Sequence, residues 1–155
     1  MNGVRIAEVV GKVFADTGDA MRENGITTEA EIPQDLMVQG NANLLYSVFR
    51  NLTDNVIRHA GQRVRILVRV LDQRDGCVRF SFADTGSGVR DEEHLNRLFE
   101  RFYRLNEGRT RETGGSGLGL SIVRNAIVFH GGNISVKNRE GGGLEFIFTL
   151  KSMDN

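Results

Sequence analysis

The chain has 155 residues, which suits one domain with a single hydrophobic core, and its 20 lysines and arginines balance its 20 aspartates and glutamates. This zero net charge argues against a protein built mainly to coat nucleic acid or an anionic membrane, so we expect neither a nucleic-acid partner nor direct membrane contact. A single cysteine (Cys77), no signal-peptide pattern and no apolar run of about 20 residues exclude an intrachain disulfide and a membrane-spanning helix, and predict a cytoplasmic domain.

The N-terminal third of the sequence predicts two helices separated by two short strands. Apolar residues recur at the spacing of an amphipathic helix before Gly25, whose lack of a side chain suits a helix end. Pro33 separates the two strands. The elements predicted here are a helix at Val4–Asn24, strands at Ile26–Ile32 and Leu36–Gln39, and a long helix at Asn41–Ala60.

The rest of the sequence predicts two hairpins with helices between them. Asp75-Gly76 is a turn signal, and three consecutive glycines mark the second turn. The predicted elements are strands at Arg63–Leu71 and Cys77–Asp84, a helix at Glu92–Tyr103, a glycine-rich charged loop at Leu105–Gly117, a helix at Leu118–His130, and strands at Asn133–Lys137 and Leu144–Leu150. This order predicts one domain over residues 1–155, with a sheet covered by helices on one face.

The long helix carries a polar stripe beside its apolar face. Asn51, Asn55 and Arg58 share one side at about 100° per residue. The stripe is compatible with a solvated helix flank. An asparagine carbonyl can also bind Mg²⁺, and an arginine one turn further on can meet phosphate oxygens.

A second candidate site follows the strand that ends at Asp84. This aspartate continues the apolar face of its strand, where a carboxylate is costly without a hydrogen-bond partner. The partner could be a backbone N–H of the following turn. It could instead be a ligand amine such as that of adenine, with Gly86 and Gly88 letting the backbone approach a flat ring.

The third candidate site is the stretch GGSGLGLSIV, which opens a predicted helix. Gly115, Gly117 and Gly119 expose backbone N–H groups where the helix dipole favours an anion. The loop before it, at about 103–117, is long enough for a mobile lid. It carries the arginines Arg104, Arg109 and Arg111. The stretch lacks the lysine of a P-loop and does not match a dinucleotide fingerprint.

The order of these segments resembles the sensor histidine kinases, within the ATPase group that includes gyrase, Hsp90 and MutL. The segments are similar to the N, G1, F and G2 boxes of that family, respectively Asn51–Asn55, Asp84–Gly88, Phe99–Arg104 and Gly115–Leu120. The resemblance runs from about residue 41 to 150.

The resemblance implies a fold of the α/β (α+β) class. This Bergerat-type fold is a two-layer α/β sandwich whose mixed, mostly antiparallel sheet has about three helices on one face. It also implies that the domain holds Mg²⁺-ATP as its nucleotide and metal.

Residue roles follow from the same resemblance. Asn55 is expected to ligate the metal, Asp84 to accept from the adenine amine, and Arg58 and Arg104 to act on the phosphates as catalytic residues. The nucleotide-binding residues implied are Asn51, Asn55, Arg58, His59, Asp84, Gly86, Gly88, Gly115, Ser116, Gly117, Leu118 and Gly119.

One position favours transfer to histidine over hydrolysis. Hydrolytic members of the group and the anti-sigma-factor kinases tend to carry glutamate where this chain has Asn51, and an amide cannot act as a general base. Three alternatives stay open: a serine/threonine kinase of the anti-sigma type, a degenerate nucleotide- or partner-binding module, and ATP hydrolysis alone.

The phosphoacceptor is expected outside this chain. None of His59, His94 and His130 lies in a motif like H-E-x-x-x-P, and His130 is interpreted as a helix C-terminal residue favoured by the dipole. The expected partners are the helical dimerisation and phosphoacceptor domain of the same kinase and a downstream response regulator. The isolated domain is expected to be monomeric.

Overall fold

Seven strands and four α-helices make up the part of the chain that the computed structural model describes, residues 2–101 and 118–153. The strands are β1 (Asn2–Arg5), β2 (Thr27–Glu31), β3 (Met37–Gly40), β4 (Arg65–Arg74), β5 (Cys77–Asp84), β6 (Ile134–Asn138) and β7 (Leu144–Lys151). The helices are α1 (Ile6–Asp16), α2 (Gly18–Glu23), α3 (Ala42–His59) and α4 (Gly119–Phe129), with a 3-10 helix at Glu92–Arg97.

Five of the strands form one sheet in the order β2-β4-β5-β7-β6. Only the β2–β4 pair is parallel, and the other three pairs are antiparallel. The remaining strands, β1 and β3, form a separate antiparallel pair. The predicted mixed and mostly antiparallel sheet is therefore confirmed.

The core lies between one face of the sheet and the helices α1, α3 and α4. Phe49 of α3 meets Phe80 of β5 and Phe148 of β7 edge-on, with ring centroids 6.4 and 5.7 Å apart. Phe80 and Phe148 stack on neighbouring strands at 5.4 Å. Burying these rings fixes α3 across the middle of the sheet.

The opposite face of the sheet carries charged and polar side chains. Glu145 of β7 accepts a 2.6 Å hydrogen bond from the Ser81 hydroxyl and lies 3.6 Å from the Lys137 ammonium and 3.9 Å from the Arg69 guanidinium. This alternation of apolar and polar residues is why helices cover only one face.

Two predicted helices differ from the structure. The helix predicted at Val4–Asn24 is wrong at its start, because Val4 pairs with Val38 in a strand, and wrong in its continuity, because the helix is interrupted at Thr17. The Thr17 hydroxyl donates to the Val13 carbonyl at 2.8 Å, which competes with continued helix. The helix predicted at Glu92–Tyr103 is a 3-10 helix over Glu92–Arg97.

His130 lies at the C-terminus of α4, as expected, and has a further structural role there. It is buried, and its Nδ1 donates to the Ala126 carbonyl at 2.6 Å while its Nε2 accepts from the Asn41 backbone N–H at 3.1 Å. A carbonyl can only accept and an N–H can only donate, so this is the pairing of an uncharged ring. His130 therefore joins the end of α4 to the start of α3.

Within the described ranges, no helix combines the length and apolarity that crossing a bilayer requires.

A buried hydroxyl on α3 gives a stability prediction. Thr53 is fully buried, and its Oγ1 has no hydrogen-bond partner among the described residues. Because valine keeps the shape and removes the unpaired polar atom, we expect Thr53→Val to raise the free energy of unfolding by about 1 kcal/mol. Urea denaturation measures the difference. Thr53→Ser, which keeps the hydroxyl and loses the methyl group, is expected to be less stable, and a destabilised valine variant would contradict the assignment.

Candidate nucleotide-binding site

The polar stripe of α3 lies at the border of the core, as the sequence predicted. The helix begins at a capping residue, Asn41, whose side-chain oxygen accepts from the Leu44 N–H at 3.0 Å. Asn51 and Asn55 are half-buried, whereas Arg58 is exposed. His59, in the same last turn, is also exposed.

The two asparagines of the stripe have different surroundings. The Asn51 amide donates to the Ser47 carbonyl at 2.8 Å, and its Oδ1 faces the start of α4, where a Cβ on Gly119 would lie 3.1 Å away. No hydrogen bond involves the Asn55 side chain among the described residues. Within the described ranges the carbonyl oxygen of Asn55 is therefore left for a ligand, and Asn51 is one point at which α3 contacts the start of α4.

Asp84 lies at the end of β5 and is 4% exposed. Its Oδ1 accepts from the Gly86 N–H at 2.8 Å, which is the turn partner considered in the sequence analysis, and it also accepts from the backbone of Leu144. Burial raises the pKa of this carboxyl, and the two backbone donors and the charge of Arg139 offset only part of that rise. Two oxygens with about four acceptor positions leave capacity for a further donor.

The loop after Asp84, residues 84–88, passes so close to other backbone that its glycines have no room for a side chain. A Cβ on Gly86 would lie 2.5 Å from the Ala60 carbonyl oxygen just beyond α3. Gly88 has a φ of +68°, and its Cβ would lie 2.8 Å from Asn138 Oδ1. We call this segment the G1 loop; it is held between the end of α3 and the end of β6.

Residues at the β6–β7 turn complete this wall of the site, and they were not among the predicted site residues. A Cβ on Gly143 would collide with the Asp84 backbone carbonyl, and one on Gly142 would lie 3.3 Å from the Gly86 carbonyl oxygen. The side chain of Asn138 pairs with the backbone of Val89 through two hydrogen bonds of 2.8 Å. The sequence feature that could have indicated this contact is the run of three glycines at 141–143, which is more than a hairpin turn requires.

The other predicted site residues divide into two groups. Leu118 and Gly119 open α4, and the Ser121 hydroxyl donates to the Leu118 carbonyl at 2.7 Å. Phe99 of the F-box segment packs edge-on against Phe146 at 6.0 Å, an ordinary core contact. The predictions for Arg104, Gly115, Ser116, Gly117 and the loop at about 103–117 lie outside the described residues.

A metal at this site would depend on few protein ligands. Over residues 2–101 and 118–153 there is no group of three or more His, Cys, Asp or Glu side chains that could hold a metal ion. Asn55 supplies a neutral oxygen, which suits a cation that keeps most of its waters and binds mainly through a substrate's phosphates.

Known proteins are similar to this chain both in sequence and in architecture. Residues 40–153 match the family model described as histidine kinase-, DNA gyrase B- and HSP90-like ATPase. The signal transduction histidine-protein kinase BaeS of Escherichia coli (strain K12) is 34% identical over 95% of this chain and 30% of its own length. The catalytic domain of histidine kinase ThkA is 28% identical with a TM-score of 0.82, covering 97% of this chain and 94% of that domain.

A longer structure matches equally well over this chain. Full-length ShkA in complex with AMPPNP is 26% identical with a TM-score of 0.81, over 99% of this chain and 31% of ShkA. The chain thus spans about a third of the length of the full-length kinases that it matches. From the family match, the shared fold and the sensor kinases among its relatives, we conclude that the chain belongs to the histidine kinase-, DNA gyrase B- and HSP90-like ATPases and is an ATP-binding catalytic domain of the histidine kinase type.

Proposed function

We propose that this domain binds Mg²⁺-ATP and donates the γ-phosphoryl group to a histidine on a separate helical domain of a two-component signalling kinase. The observation that carries the proposal is the position of α3. Its middle contacts the start of α4 at Asn51, and its end contacts the G1 loop at Ala60. One helix thereby joins the candidate sites for phosphate and for adenine.

The adenine end of the proposed site depends on Asp84. An ionised carboxylate only accepts hydrogen bonds, so it would favour the exocyclic amine of adenine and repel the carbonyl of guanine. A hydrogen bond to a charged group contributes about 1.5–3 kcal/mol, enough to select the base. The glycines of the G1 loop let its backbone pack against Ala60, Asn138 and Gly143, which supports a loop held beside Asp84 for the base.

The phosphate end depends on the start of α4. From Asn51 to Ala60 the helix rises about 14 Å at 1.5 Å per residue, a span on the scale of an extended nucleoside triphosphate. The first backbone N–H groups of an α-helix have no partner within the helix itself, so the start of α4 is suited to an anion. We assign the phosphate cradle to residues 115–119, and contacts with phosphate oxygens to Arg58 and Arg104.

The metal is assigned to Asn55. Its half-buried amide oxygen fits Mg²⁺, which prefers oxygen ligands and keeps several waters. When bound, Mg²⁺ would supply charge neutralisation for the phosphates. The arginines would share that work and hold the terminal phosphate in line with the incoming nucleophile.

The choice of nucleophile follows from Asn51. Its amide cannot take a proton and is already bonded to the Ser47 carbonyl, so activation of water or of a serine is disfavoured. A histidine ring nitrogen needs no such base: it would form the bond to phosphorus as the bond to the ADP oxygen breaks. His130 is an unsuitable acceptor because it is buried with both ring nitrogens paired.

The relatives support partners outside this chain. BaeS is named a signal transduction histidine-protein kinase and is about three times longer than the matched region. ShkA, also longer, is in complex with AMPPNP. We therefore propose a phosphoacceptor and dimerisation domain as the direct partner, a response regulator downstream, and a cytoplasmic location for the domain, where ATP is available. The anti-sigma-type alternative is not favoured.

Calorimetric titration with a non-hydrolysable ATP analogue tests the metal assignment. We expect the natural chain to bind the analogue more tightly with Mg²⁺, and Asn55→Ala to lose that Mg²⁺-dependent gain while keeping its affinity without metal, because only the metal ligand is removed. Asn125→Ala, the same change on the exposed side of α4, is the matched control. Undiminished Mg²⁺ dependence in Asn55→Ala would overturn the assignment, and a folded natural chain that binds no analogue would overturn the proposed function.

The Asp84→Asn variant tests the adenine assignment and separates binding from stability. We expect its affinity for the ATP analogue to fall by about 10- to 150-fold, the equivalent of one charged hydrogen bond, with the loss of preference over the GTP analogue. Burial raises the pKa of Asp84, so ionisation destabilises the ligand-free fold. The variant should therefore be at least as stable as the natural chain at neutral pH.

The stability difference between the natural chain and Asp84→Asn is expected to depend on pH. As the pH falls through the raised pKa of Asp84, the natural chain takes up a proton, its penalty disappears, and its stability approaches that of the variant. Denaturant unfolding of both chains from pH 7 to pH 4 measures the difference, with the exposed Asp35→Asn as the control that should show no such convergence. An Asp84→Asn variant with unchanged nucleotide affinity would contradict the assignment.

A further inference from the structure

Asn138 is a polar residue outside all four family-like segments. It is the last residue of β6, it is half-buried, and it stands directly before the β6–β7 turn. Both the oxygen and the nitrogen of its side-chain amide form hydrogen bonds with the backbone of another segment. These side-chain hydrogen bonds are separate from the strand pairing of β6 with β7, in which Asn138 lies opposite Leu144.

The side-chain amide of Asn138 forms hydrogen bonds with both backbone groups of Val89. Its Oδ1 accepts from the Val89 N–H at 2.8 Å, and its Nδ2 donates to the Val89 carbonyl at 2.8 Å. Val89 is 5% exposed, so its backbone groups could not easily exchange this partner for water. The pair closes a contact between residues 49 positions apart in the sequence.

Val89 is the residue that follows the G1 loop. The loop is fixed at its start by Asp84, which ends β5 and accepts from the Gly86 N–H. Its next residue, Thr85, donates its N–H to the Arg65 carbonyl and accepts the Arg65 N–H at its hydroxyl. Asn138 supplies the fixed point at the other end.

The same amide also limits how far the loop can shift. A Cβ on Gly88 would lie 2.8 Å from Asn138 Oδ1 and 3.0 Å from the Gly143 carbonyl oxygen. Gly88 is held in the left-handed region, with a φ of +68°. A loop with both ends fixed and its glycine enclosed is preorganised for a ligand, which reduces the ordering that binding requires.

We propose that Asn138 is a positioning residue for base recognition: it fixes the G1 loop so that Asp84 and the loop backbone are already set for the adenine ring. This inference rests on the proposed function of the domain as an adenine-nucleotide site. Asn138 does not touch the nucleotide in this account and acts through Val89.

The variant Asn138→Asp tests the proposal with little change in size. The carboxylate can still accept from the Val89 N–H, but its second oxygen replaces a donor and opposes the Val89 carbonyl. We expect affinity for the ATP analogue to fall on the order of tenfold and the preference over the GTP analogue to shrink. We also expect faster hydrogen exchange at the backbone amides of residues 86–89 in the ligand-free domain.

The control is Asn133→Asp, which introduces the same charge just before β6 and away from the G1 loop. Lower affinity with an unchanged base preference would indicate general destabilisation and overturn the positioning role. Unchanged exchange at residues 86–89 would overturn it whether or not nucleotide binds. A natural chain that binds no ATP analogue, but shows the faster loop exchange in Asn138→Asp, would instead overturn the proposed function and leave Asn138 as a clamp on the loop.

Discussion

The buried carboxylate of Asp84 is the constraint on which the rest of the candidate site depends. A carboxylate that is 4% exposed is costly, and two backbone N–H groups from different segments, together with Arg139, offset part of that cost. These donors belong to Gly86 and Leu144, so the end of β5 has to meet both the G1 loop and the β6–β7 turn. Burial raises the pKa of this carboxyl, and its remaining acceptor capacity is what a base amine would use.

Backbone proximity carries this arrangement from the carboxylate to the whole site. Gly86, Gly88 and Gly143 each lie where a side chain would overlap another segment's backbone or amide. The glycines therefore pack the G1 loop between α3 and the last hairpin. Because α3 also meets the start of α4 at Asn51, and Phe49 anchors α3 on the sheet, the geometry of the site follows from core packing.

The sequence predicts the features that depend on local periodicity. Alternation in β4 and β5, helical spacing in α3 and the order of the family-like segments were sufficient for the fold class and for the polar stripe. Contacts between distant residues were missed: Val4 pairs with Val38 in a strand, Asn138 holds Val89, and His130 joins α4 to Asn41. A side chain that stabilises a distant backbone leaves no periodic trace, and Thr17 interrupts a helix without interrupting the apolar pattern.

The most direct test of the central claim is the crystal structure of this domain with AMPPNP and Mg²⁺. We expect the exocyclic amine of adenine within hydrogen-bond distance of an Asp84 carboxylate oxygen, the ring against Gly86 and Gly88, and Asn55 Oδ1 on the metal. We also expect the G1 loop to keep the path it has without nucleotide. A base bound away from Asp84, or a loop that must rebuild to admit it, would show that Asp84 and a preformed loop do not select the base.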